Sequence, residues 1–98
     1  MAAYVVVTRE KTRNSVHLDE YKKLAPGSFQ NHPAKFLAIH GRQEVLEGPP
    51  NEDIVVLEFP SYEAAKAWYH SEEYQAASHH RHLGGDYRMI LTEGVAPK

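Results

Sequence analysis

One predicted helix places chemically active side chains on a single face. Its residues Tyr74, Ala77, Ser78 and Arg81 follow the i, i+3, i+4, i+7 spacing of one helix side. If Ala77 points into the core, Tyr74 and Arg81 point there too. An inward arginine needs a partner, which an anionic ligand or a carboxylate would provide. The alternative is a guanidinium that reaches solvent at the end of the helix.

Two other side chains could move or stabilise a proton. His40 ends a predicted strand, and an imidazole there could act as a general acid or base. Tyr21 or Tyr74 could hydrogen-bond a developing enolate or phenolate. His17 lies one helical turn before Tyr21, on the same side. The structural alternatives stay open, since a strand-end histidine is often solvated and a core-facing tyrosine often only packs.

The strand before the Tyr74 helix carries a carboxylate and leads to the single tryptophan of the chain. Ile54–Phe59 is a mostly apolar run that suits a buried strand, and Pro60 ends it because proline has no N–H to donate. Glu58 is costly there unless it lies at a solvated strand end or acts as a pocket carboxylate. Ser61 is a good N-cap for the following helix, in which Trp68 fills the space over the sheet.

The histidines at positions 79, 80 and 82 invite a metal-site interpretation, which their neighbours disfavour. No carboxylate stands at ligand spacing and Arg81 would repel a cation, so a solvated helix end is favoured. The chain has no cysteine, and therefore no disulfide, thiol nucleophile or cysteine-ligated metal. We predict no metal and no resident cofactor, and leave open whether a haem or flavin visits a pocket.

The length of 98 residues indicates a single domain, 1–98, with a thin core. A net charge of −2 without a basic stripe argues against nucleic acid as a partner. No apolar run is long enough to span a bilayer, and Tyr4–Val7 leads straight into charged residues, unlike a secretory signal. We therefore expect a cytoplasmic protein without a membrane partner.

The predicted elements follow the order β-α-β-β-α-β, a ferredoxin-like split βαβ arrangement of class α+β with a four-stranded antiparallel sheet. The predicted strands are Ala3–Thr8, Lys35–His40, Ile54–Phe59 and Tyr87–Thr92. The predicted helical segments are Val16–Gln30, interrupted at Pro26-Gly27, and Ser61–Arg81, with a fresh start at Ser71. Further predicted segments are a polar connection at Arg9–Arg13, a turn at Gly84–Asp86 and a tail at Val95–Lys98.

A second copy of the chain is expected from the distribution of apolar residues. Two helices can cover only one face of a four-stranded sheet, whereas the predicted strands carry apolar residues on both faces. An apolar patch as large as a sheet rarely stays exposed. Two-fold pairing is the simplest cover, so we expect a homodimer.

The residues around the third strand form a specific combination. Glu58-Phe59-Pro60 is followed by Trp68-Tyr69, Ser71-Glu72-Glu73-Tyr74 and Arg81, and Leu46-Glu47-Gly48 and Glu93-Gly94 complete the set. This combination resembles the family known as domain of unknown function 1330 (DUF1330), in the dimeric α+β barrel superfamily, over nearly the whole chain. The resemblance implies a pocket in each protomer between the sheet and its helices. The side chains it would place there are Tyr21, His40, Trp68, Tyr74 and Arg81, with Glu58 and His17 as further candidates.

One departure from the family pattern concerns the end of the second strand. The family usually has Arg-Gly-Gly there, and this chain has Ile39-His40-Gly41. If that arginine binds an anion in relatives, this protein handles a different ligand or uses His40 in its place.

The candidate residues and the resemblance together suggest a function. We expect a cofactor-independent enzyme of isomerase, lyase or monooxygenase type that acts on a small organic or aromatic acid. His40 and Tyr21 are the predicted catalytic residues, and the predicted binding residues are Trp68, Tyr74, Arg81 and Glu58. The alternatives are a non-catalytic small-molecule-binding or stress-associated homodimer, and a subunit that binds a protein partner.

Overall fold

A four-stranded antiparallel sheet forms one layer of the fold in the computed structural model, which describes residues 1 to 96. Its strands are β1 (Ala3–Thr12), β2 (Lys35–Ile39), β3 (Asp53–Phe59) and β4 (Gly85–Glu93). They lie in the order β2-β3-β1-β4, with every neighbouring pair antiparallel. The predicted ferredoxin-like α+β arrangement is therefore confirmed.

Three α-helices and one 3-10 helix form the second layer. They are α1 (Ser15–Leu24), the 3-10 helix (Ala25–Phe29), α2 (Tyr62–Tyr69) and α3 (Glu72–Gly84). Each α-helix begins at a side-chain cap, provided by Asn14, Ser61 and Ser71 respectively, whose oxygen accepts a backbone N–H of the first turn. The predicted interruption at Pro26 and the predicted fresh start at Ser71 are both confirmed.

The connection between α3 and β4 differs from the prediction. Helix α3 continues to Gly84 and β4 begins at Gly85, so no separate turn is present. Strand β1 likewise continues to Thr12, past the predicted end at Thr8, because β4 pairs with it as far as Gly85. Arg13 holds this junction: its guanidinium donates to the backbone oxygens of His82 and Gly85 at 2.6 and 3.0 Å.

Both faces of the sheet are apolar, and the helices cover one of them. The covered face carries Val5, Val7, Leu57 and Phe59, all buried. The opposite face, here called the open face, carries Val6, Ile54, Val56 and Ile90. Ile90 remains 48% exposed. A single chain thus leaves apolar sheet surface in contact with solvent.

The inward face of α3 agrees with its sequence spacing. Tyr74 and Ala77 are fully buried, and Ser78 and Arg81 are 2% and 4% exposed. Arg81 therefore does not reach solvent at the helix end. Its guanidinium is part of the core between α3 and the sheet, where an uncompensated charge is costly.

Helices α1 and α3 approach each other closely at Gly84. A Cβ atom on Gly84 would lie 2.5 Å from Cδ2 of Leu18 and 3.0 Å from its backbone nitrogen. The Gly84 carbonyl also accepts the backbone N–H groups of Arg13 and Asn14, at 2.8 and 3.0 Å. The residue at position 84 must therefore have no side chain for the two helices to pack as they do.

Replacing Gly84 with alanine should reduce the free energy of unfolding by about 1–3 kcal/mol, since the new methyl group overpacks the contact with Leu18. Denaturant unfolding measures the change. The matched control is Gly27→Ala, because a Cβ at Gly27 meets nothing within 4 Å. That control should stay within about 0.5 kcal/mol of wild type. Equal stability of the two variants would show that α1 and α3 can separate without cost.

Candidate functional site

A cavity lies between the covered face of the sheet and the layer formed by α1 and the 3-10 helix. Its volume is about 340 Å³, at the lower end of the range of about 300–1,000 Å³ that is usual for ligand pockets. Most of the lining is apolar, and its aromatic members are Tyr21, Phe29, Phe36, Trp68 and Tyr87. Such walls suit a small, flat, largely apolar molecule.

His40 and Asp53 form a polar pair in the pocket lining. Nδ1 of His40 lies 2.6 Å from Oδ2 of Asp53, and the two side chains are 54% and 16% exposed. The carboxylate fixes the imidazole by this contact and leaves Nε2 available to a ligand. His40 also has a left-handed backbone, with φ of 51°. Side chains larger than glycine adopt this conformation at a cost of roughly 1–2 kcal/mol.

Two cationic residues, Arg9 and Lys22, also line the pocket. Nε of Arg9 lies 3.2 Å from Oε1 of Glu52, and the Thr12 hydroxyl donates to the same oxygen at 2.6 Å. The Thr12 bond, with a further contribution from Arg9, outweighs desolvation and lowers the pKa of Glu52. Glu52 therefore stays ionised and anchors Arg9 through its Nε–H.

Two tyrosine hydroxyls meet in the wall of the pocket. The hydroxyls of Tyr21 and Tyr74 are 2.9 Å apart, and Tyr21 lines the cavity. Burial raises the pKa of Tyr21, and the neighbouring Tyr74 adds to that rise. Burial also raises the pKa of Tyr74, although Tyr21 and the Arg81 charge partly oppose the shift. Both phenols are therefore neutral hydrogen-bonding groups at physiological pH.

Arg81 lies beyond this pair, without a carboxylate partner among residues 1 to 96. Its Nε is buried and makes no hydrogen bond with the described chain. Its Cζ lies 5.2 Å from the centre of the Tyr87 ring, a cation–π distance. The aromatic ring thus gives the buried charge partial compensation.

Trp68 forms the inner wall of the cavity and is held by two contacts with the 3-10 helix. Its Nε1 donates to the Ser28 hydroxyl at 3.0 Å, and that hydroxyl donates to the Ala25 carbonyl at 2.6 Å. The Phe29 ring stacks on the indole with a centroid separation of 5.0 Å and an interplanar angle of 12°. The wall is therefore fixed in position before any ligand arrives.

The predicted site residues fall into three groups. Tyr21, His40 and Trp68 line the cavity, while Tyr74 and Arg81 lie behind Tyr21. Glu58 lies on the open face, because strand alternation places it beside Ile54 and Val56, so it does not line this cavity. His17 is also outside the lining, where its Nδ1 contacts Nδ1 of His80 at 3.0 Å.

Sequence reasoning missed Arg9, Asp53 and Tyr87, which line the pocket. Arg9 pairs in register with Asp53 on one side and with Tyr87 on the other. The two-residue alternation that places Val5 and Val7 on the covered face would have placed Arg9 there too. The signal was present, but it was lost when β1 was predicted to end before Arg9.

Two features are absent from residues 1 to 96. No group of three or more histidine, cysteine, aspartate or glutamate side chains is arranged to hold a metal ion there. No helix in this part of the chain is both long and apolar enough to cross a membrane.

The chain is a ferredoxin-like α+β protein with a largely apolar cavity between its two layers. The chain belongs to the family described as Domain of unknown function (DUF1330), whose sequence profile matches residues 2–95. The family resemblance read from the sequence is confirmed. A search of curated proteins found no significant match.

Solved structures share the fold at low sequence identity. A protein of unknown function from Rhodopseudomonas palustris has a TM-score of 0.72 and 17% identity, over 98% of this chain and 84% of that one. SnoaB, a cofactor-independent oxygenase from Streptomyces nogalater, has a TM-score of 0.67 and 8% identity, over 98% and 95%. A dimeric ferredoxin-like protein of unknown function from Bacteroides fragilis has a TM-score of 0.60 and 14% identity, over 95% and 96%. Identities this low establish the shared fold alone.

An alkaline titration should reveal tyrosines that ionise only when the protein unfolds. Burial raises the pKa of Tyr21 and Tyr74 in the folded protein. In an unfolded chain the same phenols ionise at about pH 10. The stability that these neutral phenols contribute is therefore complete below about pH 10 and is lost as the pH rises further. Tyrosinate absorbance and thermal melting at increasing pH measure both effects.

Two phenylalanine variants separate this effect from general alkaline unfolding. In Tyr21→Phe, the free energy of unfolding should depend less on pH above about pH 10, the ordinary pKa of tyrosine. Tyr62→Phe removes a hydroxyl from a residue that is 37% exposed, and it should behave like wild type. If all three proteins lose stability in parallel, burial of Tyr21 does not govern the alkaline transition.

Proposed function

We propose that this protein binds a small aromatic acid in the pocket and that His40, oriented by Asp53, removes a proton from it without a cofactor. The observation that carries this proposal is the contact of 2.6 Å between His40 and Asp53 in the lining of a largely apolar cavity. A carboxylate on one ring nitrogen orients the imidazole and stabilises the imidazolium that forms when the other nitrogen takes a proton.

The backbone of His40 supports a functional role. Its left-handed φ of 51° suits glycine, and glycine is the usual residue at the corresponding position of the family pattern. A histidine there carries a conformational cost that its packing does not offset, because the side chain is more than half exposed. Strain of this kind is characteristic of functional positions.

The proposed reaction step is the removal of a proton from a carbon next to a carbonyl group. The C–H bond breaks, its electron pair moves into the carbonyl to form an enolate, and the proton passes to Nε2 of His40. The Tyr21 hydroxyl donates to the enolate oxygen. Return of the proton to the original carbon or to a conjugated one completes an exchange or an isomerisation.

The lining indicates the substrate class. Aromatic walls bind a flat ring, and the cationic residues Arg9 and Lys22 provide partners for an acidic group. The similarity to a cofactor-independent oxygenase supports chemistry without a cofactor, although only at the level of the fold. The predicted cytoplasmic location and the predicted lack of nucleic-acid and membrane partners stay predictions from composition.

Retention of a small molecule without chemistry, as in a binding or stress-associated homodimer, is the second candidate function. The exposure of His40, at 54% of its side chain, favours it because a general base in contact with water competes less well for a substrate proton. The two functions share the pocket and differ in proton transfer alone.

Phenylpyruvate is a suitable probe, because it combines an aromatic ring, a carboxylate and an acidic C–H next to a carbonyl. In D₂O, proton NMR should show faster loss of its C3 hydrogen signal with the protein than in buffer. His40→Asn should reduce the catalysed exchange by about 10²-fold or more, and asparagine tolerates the left-handed backbone. His79→Asn, at an exposed position of α3, should exchange like wild type.

Fluorescence of the single tryptophan, Trp68, measures binding in the same samples because that residue lines the pocket. A fluorescence change with an exchange rate equal to buffer would favour the non-catalytic function. Equal exchange by wild type and His40→Asn would contradict the assignment of His40 as the base.

We infer in addition that two chains pair through the open face. Ile90 is 48% exposed there, beside the apolar strand residues Val6 and Val56, and exposed apolar sheet surface favours association. The similarity to a dimeric protein of the same fold supports this pairing. Burial of the open face against a symmetry-related copy would give four layers in the order helices, sheet, sheet, helices.

A new carboxylate among the apolar residues of the open face should prevent pairing, whereas the existing Glu58 lies opposite Lys35 in the sheet register. Light scattering after size-exclusion chromatography should give a dimer for wild type and a monomer for Ile90→Glu, because the interface would bury an unpaired carboxylate. Val16→Glu changes an apolar residue that is 68% exposed on α1, and it should remain a dimer. A monomeric wild type, or a dimer that tolerates Ile90→Glu, would overturn the inference.

A further inference from the structure

The guanidinium of Arg81 is a buried donor with unused hydrogen-bonding capacity. The residue is 4% exposed, and its Nε has no partner in the described chain. Arginine can donate hydrogen bonds but cannot accept them. Any hydroxyl that Arg81 contacts must therefore offer an oxygen lone pair to it and direct its own proton elsewhere.

Tyr74 is the hydroxyl that Arg81 affects most directly. Tyr74 and Arg81 share the buried face of α3, and the Arg81 charge opposes the rise that burial causes in the pKa of Tyr74. A positive charge attracts the oxygen end of a nearby hydroxyl, so the Tyr74 proton points away from Arg81. Two acceptors remain for the Tyr74 proton: the Tyr21 oxygen at 2.9 Å and Sδ of Met89 at 4.0 Å. A thioether sulfur is a weak acceptor, so the proton goes to Tyr21.

Tyr21 must then direct its own proton away from Tyr74. Its hydroxyl makes no other hydrogen bond with residues 1 to 96, and the residue lines the cavity. From this geometry we propose that the buried Arg81 charge polarises a chain of two donors, Tyr74 and then Tyr21, that presents the Tyr21 hydroxyl to an oxyanion of the ligand. This inference rests on the proposed binding of an aromatic acid and specifies which atom of the pocket recognises its charge.

The donor chain selects a class of ligand. A phenolate or enolate oxygen attached to a flat apolar group would accept from Tyr21, while the corresponding neutral hydroxyl would compete to donate. Tyr21 would be a catalytic residue because it touches the reacting oxygen, and Tyr74 and Arg81 would be positioning residues that act through it. Since burial raises the pKa of Tyr21, its phenol would remain a donor at mildly alkaline pH.

The probe for this proposal is 4-nitrophenol, whose neutral and ionised forms absorb at different wavelengths. Spectrophotometric titration with and without the protein gives the pKa of the bound and free probe. The wild type should prefer nitrophenolate by about tenfold, which corresponds to about one unit of pKa. Tyr21→Phe should reduce that preference most, leaving the part that the pocket cations Arg9 and Lys22 provide, and Arg81→Met and Tyr74→Phe should each reduce it although Tyr21 is retained.

Tyr69→Phe is the matched control, because Tyr69 packs on Tyr74 with ring centres 5.8 Å apart but does not line the cavity. It should keep the wild-type preference. Thermal melting shows whether each variant is folded, and Tyr74→Phe preserves the shape of the core if Arg81→Met does not fold. A purely structural role of Arg81 and Tyr74 would change stability and leave the bound pKa of the probe unchanged.

Two results would overturn the proposal: failure of wild type to prefer nitrophenolate, or a Tyr74→Phe variant whose preference equals that of wild type. The outcome is separable from that of the proposed reaction, which is measured by exchange of phenylpyruvate and by the His40 variant. A preference for nitrophenolate that falls in Tyr74→Phe, without phenylpyruvate exchange by wild type, would confirm the donor chain and reject proton abstraction by His40.

Discussion

The Trp68 indole is the contact on which the arrangement of both layers depends. Its ring packs against Phe59 of the sheet, Phe29 of the 3-10 helix and Tyr74 of α3, with centroid separations of 5.5, 5.0 and 4.1 Å. Its N–H is satisfied by Ser28 inside the core, where an unpaired donor would cost about 1–3 kcal/mol. This hydrogen bond holds the 3-10 helix at one edge of the indole, and Ala25, Pro26 and Phe29 of that helix line the pocket together with Trp68. Core packing and site geometry are thus consequences of the same interaction.

The sequence predicted those parts of the fold well in which local residue preferences and tertiary contacts favour the same secondary structure. The inward face of α3 follows from helical spacing, and the restart at Ser71 follows from a cap that works wherever the helix packs. The predicted end of β1 was wrong because charged residues such as Arg9, considered without their strand partners, are typical of a loop. Their strand conformation is set by β4, whose pairing with them cannot be seen in local composition.

The candidate site was predictable in part for the same reason. Tyr21, His40 and Trp68 were found from residue type and the family pattern, and each lines the cavity. Asp53 was missed although it gives His40 its orientation, because thirteen positions separate the two residues and the intervening segment has no regular pattern. Glu58 was considered for the pocket on chemistry alone, whereas strand alternation assigns it to the opposite face. Contacts of this kind require the register of the sheet, which residue types do not encode individually.

The position of β1 inside the sheet has a consequence for incomplete chains. Its two neighbours, β3 and β4, both come later in the sequence, and β4 is the last strand of the described residues. Until β4 is in place, the run Tyr4 to Val7 presents an unpaired edge rich in β-branched residues, which is the kind of segment that recruits strands from other molecules. Proteolysis or a frameshift just before β4 would therefore yield truncated chains that aggregate instead of staying in solution. For the same reason, variants that weaken β4 should accumulate in inclusion bodies more readily than variants that weaken the outer strand β2.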